Sequence, residues 1–62
     1  MMEEEKLITK TEAAQMLGVD RQAKDPEGLI ARMAIRGELQ SRRVGRWVMI
    51  LRSSVIDFIE GR

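Results

Sequence analysis

Residues 41–50 read SRRVGRWVMI. From Glu38 to Leu51 the pattern has period two, and its middle carries Gly45-Arg46. Glycine at the first of two central positions is what a type II′ hairpin turn requires. Folding the chain back there pairs Val44 with Trp47, Arg43 with Val48, Arg42 with Met49 and Ser41 with Ile50. Side chains alternate across a strand, so Leu39, Val48 and Ile50 share one face, read as the core side. Arg42, Val44, Trp47 and Met49 share the other. The chain's one tryptophan therefore lands on the outer face, beside Arg46. A one-residue bulge would return Trp47 to the core. No bulge glycine follows the turn, and the outward placement is preferred.

Two helical stretches precede the hairpin. In LITKTEAAQMLGV (residues 7–19), Thr9 caps a helix and Glu12, three residues on, completes a capping box. Leu7 or Ile8 sits where a hydrophobic staple would. Ala13, Met16 and Leu17 fall on one helical face, Gly18 supplies a left-handed stop and Val19 turns inward. DRQAKDPEG (residues 20–28) is a polar break in which Asp20 could begin a single turn. The stronger start is Asp25-Pro26: Asp caps, Pro fits the first helical position, and Glu27 suits the positive end of the dipole. This second helix runs to Gly37, with Leu29 or Ile30, Met33 and Ala34 facing the core and Ala31, Arg32, Ile35 and Arg36 turned mostly away. After the hairpin, RSSVIDFIEG (residues 52–61) reads as a short helix capped by Ser53 or Ser54, with Val55, Phe58 and Ile59 packing inward. Residues 1–6 are charged and read as a frayed tail.

Composition narrows the chemistry. Sixty-two residues allow one domain, which hides only about 60% of its unfolded surface. There is no Cys and no His. No disulfide framework or thiolate metal site is possible, and the commonest general base and metal ligand are missing. No apolar run reaches the roughly 20 residues a bilayer span needs, and no signal peptide is visible. The composition fits a reducing cytoplasm, and no cofactor and no membrane partner are expected. The net charge is only +1, but it is unevenly spread. The tail holds Glu3, Glu4 and Glu5, while residues 32–52 hold Arg32, Arg36, Arg42, Arg43, Arg46 and Arg52 against Glu38 alone. Arginine's planar fork suits phosphates and guanine edges; the plainer reading is a solvated charged surface. No enzyme is expected. The acids lie mostly in the tail or at helix starts, and any serine nucleophile lacks a histidine.

The order is helix, helix, two-stranded hairpin, helix. LITKTEAAQMLGV followed by IRGEL, RRVGRW and a short terminal helix resembles the excisionase family of winged helix-turn-helix proteins, related to MerR-type DNA-binding domains. The resemblance runs from Leu7 to Ile59. It implies an α+β fold in which the helix from Thr9 supports, residues 25–36 enter the DNA major groove, and residues 42–49 form a wing along a phosphate backbone or the minor groove. It also implies double-stranded DNA binding and bending in support of a phage or plasmid integrase. Several copies would associate on DNA while the free protein stays monomeric. Two departures stand out. The family usually passes from the LGV turn to the recognition helix within a few residues, whereas this chain inserts AKDPEG (residues 23–28). Family wings often read Arg-Val-Gly-(Gly or Arg)-Arg-Trp-Arg-Ile. Aligned through Gly45, the family's Trp falls on Val48 and the Arg before it on Trp47.

The candidate DNA contacts follow. Arg42, Arg43 and Arg46 suit phosphates, although charge on a two-stranded ribbon also protects an edge. Arg32 and Arg36 lie on the exposed side of the second helix; Arg32 suits a guanine, and the alternative for the pair is solvation or an ion pair with Glu38. Glu27, Gly28 and Ala31 occupy the early turns, Ala31 within reach of a thymine methyl. Arg21 and Lys24 in the inserted loop suit phosphates, and Thr11 either reaches a phosphate or serves in capping. Trp47 completes the set. The competing functions are transcriptional regulation with the same fold, or a docking or DNA-packaging module in which Trp47, Met49 and Ile35 meet a larger partner.

Overall fold

The capping signals of the first helix work as the spacing expects. In a computed structural model, which describes residues 6–61, α1 spans Lys10–Leu17. Thr9 Oγ1 accepts the Glu12 N–H at 3.0 Å, and Glu12 Oε1 accepts the Thr9 N–H at 3.0 Å. Gly18, at φ 76°, closes the other end. Its N–H donates to the Gln15 carbonyl and the Val19 N–H to that of Ala14, which satisfies two carbonyls the helix leaves open. The buried pair on α1 is Ala13 and Ala14, with Met16 and Leu17 only partly covered. Two small residues let α1 approach α2, α3 and the sheet together, so Ala14 takes a core position the periodicity did not single out.

The polar break builds its own turn. The Val19 carbonyl accepts from the Gln22 and Ala23 N–H groups, and Asp25 then caps α2, Pro26–Ile35, with Pro26 in its first turn. Asp25 Oδ1 accepts the Gly28 N–H at 3.1 Å. A Cβ at Gly28 would meet that carboxylate where it now stands, so the glycine leaves room for this placement of the Asp25 side chain. Asp25→Ala should lower stability by about 1 kcal/mol through loss of this cap. Urea melts of the native and Asp25→Ala proteins check this, and an unchanged midpoint would mean that the bond adds nothing to α2. Ile30, not Leu29, is the fully buried member of the pair, with Met33 one turn on.

Turning at Gly45 pairs β2, Ser41–Val44, with β3, Trp47–Leu51, in the expected register from Ser41↔Ile50 to Val44↔Trp47. Gly45 has φ 62° and Arg46 lies outside the left-handed region, the φ pattern of a type II′ turn. The register is continuous, with no bulge, and Trp47 is 67% exposed.

The sheet departs from the expected two strands. Leu7–Ile8 forms β1 and pairs antiparallel with β3, Leu7↔Leu51 and Ile8↔Ile50, giving the order β1-β3-β2. The Arg52 N–H donates to the Lys6 carbonyl at 2.9 Å, so Lys6 is held against the sheet; the rest of the charged tail lies outside the described residues. Ile8, Leu39 and Ile50 are buried with Ala13, Ala14, Ile30, Met33 and Val55 in one core. Val48, expected among them, is only half-buried and stands outside that cluster. The reason is the shortness of β1: it covers β3 at Ile50 and Leu51 alone.

The last helix, α3 (Arg52–Glu60), follows β3 without a break. Neither serine caps it: Leu51 occupies the cap position without a side-chain bond. Ser54 instead accepts the Gln40 N–H at 3.1 Å and donates to the Leu51 carbonyl at 2.7 Å, tying the helix start to the approach to β2. Val55 is buried as expected, but Phe58 and Ile59 are 43% and 54% exposed. Their spacing puts them on the Val55 face, yet α1 and β3 cover that face fully only at its first turn.

Candidate nucleic-acid interface

The hairpin presents its arginines in three directions. Register places Arg43 on the face of Ser41, Val48 and Ile50, which looks toward the helices, and Arg42 on the opposite face with Val44, Trp47 and Met49. Arg46 sits at the turn, its guanidinium 6.0 Å from the centre of the Trp47 ring, at the edge of cation–π range. The Trp47 ring therefore lies beside Arg46 on the hairpin surface. All three arginines are exposed, and no acid among the described residues pairs with them.

Two concavities flank β3. In one, of about 440 Å³, Thr9, Lys10 and Thr11 of the α1 start and Glu27 of α2 face Arg46, Trp47, Val48 and Met49. It opens where β1 stops short. The Leu51 N–H donates toward Gln40 of the β2 side, so by alternation the polar groups of Val48 point the other way, along an edge with no strand partner. Thr11 Oγ1 donates to Glu27 Oε2 at 2.9 Å. Thr11 thus braces α1 against α2, and the capping duty belongs to Thr9. Glu27 places one carboxylate in a surrounding otherwise cationic through Lys10 and Arg46. The second concavity, about 280 Å³, lies between α2 and the hairpin and is lined by Lys10, Ala31, Ala34, Ile35, Ser41 and Val48.

Several candidates come together around these clefts and several do not. Thr11, Glu27, Arg46 and Trp47 line the first and Ala31 the second. Arg32 is exposed on α2 next to Ala31. Arg36 is engaged by Glu38 at 3.0 Å, the alternative the sequence left open. Gly28 is accounted for by the Asp25 cap. Arg21 and Lys24 are exposed on the connection before α2 and line neither cleft. Lys10, which lines both, was not among the sequence candidates. Its signal was faint: only once Leu7–Ile8 pairs with β3 does the first residue of α1 come beneath the hairpin.

Among the described residues no group of carboxylates is placed to hold a metal ion, and no helix is long and apolar enough to cross a membrane. No family model matches the chain, and no curated protein or solved structure matches it.

Proposed function

We propose that this protein is a winged helix-turn-helix DNA-binding domain of the excisionase type. In this reading α2 is set in the major groove and the β2–β3 hairpin is the wing. The observation that carries it is the hairpin itself: three exposed arginines unpaired by acids among the described residues, spread over both faces and the tip of a ribbon, beside a ten-residue helix across an open cleft. Such charge neutralises phosphates and releases counterions, which supplies most sequence-independent affinity for a duplex. The domain acts without chemistry, by holding and bending a site for an integrase complex, and it binds in adjacent copies because α2 offers few polar base-reading groups.

A second reading, docking to a protein, is favoured by the exposure of Phe58 and Ile59 on α3, a surface away from the hairpin arginines in sequence and element. Titrating a duplex at low salt and following the fluorescence of Trp47 separates them. The DNA reading expects a change in emission that saturates, and stepwise complexes on longer duplexes. An unchanged emission with no shifted complex on any duplex favours docking.

A further inference from the structure

Resting on the DNA-binding reading, the composition of α2 points to what that helix reads. Its side toward the hairpin carries Ala31, Ala34 and Ile35, three positions on one helical stripe, and with Val48 across from them they form the wall of the 280 Å³ cleft. Ile35 is 84% exposed, the largest apolar exposure on the surface described. Polar readers are scarce beside it: Arg36 is held by Glu38, and Glu27 by Thr11. Cations flank the apolar stripe, Lys10 in the lining of the same cleft and Arg32 three residues before Ile35 on α2, with no acid paired to either among the described residues. An apolar strip between cations complements a major groove, whose walls are phosphate and whose floor carries one apolar group, the methyl on C5 of thymine.

We infer that the α2–hairpin cleft reads C5-methyl groups, so that the protein selects thymine-rich, or 5-methylcytosine-bearing, duplex over the same sequence without the methyls. Lys10 and Arg32 hold the flanking strands, and Ile35, Ala31 and Val48 take the methyls out of water.

The test is binding of the full chain to an alternating dA–dT duplex and to the same duplex with deoxyuridine in place of thymidine. Burying one methyl changes affinity roughly three- to fivefold, so two contacts give on the order of a tenfold preference for the thymine duplex. A dG–dC duplex should gain by a similar factor when its cytosines carry the 5-methyl group. Ile35→Ser, on an exposed site that leaves the melting temperature nearly unchanged, should bring the thymine-to-uracil ratio toward one and leave the salt dependence as it was. Equal affinity for thymine and uracil duplexes, with strong salt dependence retained, overturns the inference and leaves DNA binding standing. So does an Ile35→Ser protein that keeps the native ratio. Absence of binding to any duplex at low salt overturns both.

Discussion

Ile50→Ala should leave most of the population unfolded at 25 °C, while Trp47→Ala, three residues away on the same strand, should melt close to the native protein. Ile50 is fully buried and sits in the middle strand, opposite Ile8 on one side and Ser41 on the other. Truncating such an Ile removes transfer free energy and leaves a cavity, about 2–5 kcal/mol. A single core in a chain of this size rarely supplies more than about 3–5 kcal/mol in total. Trp47 holds its ring on the exposed face of the hairpin, and its loss costs about 0.5 kcal/mol or less. Val48→Ala belongs between them, nearer Trp47, since Val48 is half-buried and outside the core. Thermal melts by circular dichroism check the order. A collapsed Trp47→Ala protein beside a stable Ile50→Ala one would mean the strand is shifted by one residue, which turns every side chain to the opposite face.

That order of effects also marks where the sequence was readable. The hairpin was, because Gly45 at the first turn position and strict alternation specify turn and register locally. The capping box at Thr9 and the Asp25-Pro26 start were readable for the same reason: both ends of each bond lie within three residues. The larger misses are non-local. Strand β1 is two residues long, and nothing within Leu7–Ile8 says that it will pair with a segment more than forty residues on. Val48 was assigned to the core from its face alone, but burial depends on what lies opposite, and β1 ends before reaching it. Phe58 and Ile59 repeat the error on a helix. In the site, Arg46 and Trp47 were legible as neighbours on a turn. Lys10 was not, because only the pairing of β1 with β3 brings it beneath the hairpin. Thr11 and Glu27 meet across sixteen residues, a pairing that depends on the packing of α1 on α2.

Replacing Arg42, Arg43 and Arg46 together by Gln should weaken duplex binding by roughly two orders of magnitude near physiological salt, from the loss of about three phosphate contacts. The free fold should be little changed, since all three side chains are exposed and surface changes of this kind stay within about 0.5 kcal/mol each. Single variants divide the effect by direction. Arg42→Gln and Arg43→Gln act from opposite faces of the ribbon, so a wing lying on one face against the backbone loses more from one than from the other. Arg46→Gln also removes the cation over the Trp47 ring and should alter the emission of the free protein. Fluorescence anisotropy with a labelled duplex, beside melts of the same variants, separates binding from folding. A triple variant that binds as tightly as the native chain would take the hairpin out of the interface.

The dependence of affinity on salt tests the DNA-binding reading most directly. With about four to six phosphates within reach of the exposed cations, a plot of log affinity against log salt concentration should fall with a slope of about −4 to −5, at roughly 0.9 per phosphate. In the triple arginine variant the slope should flatten by about 2 to 3. A flat plot for the native protein, or no complex with any duplex at the lowest salt, would contradict it.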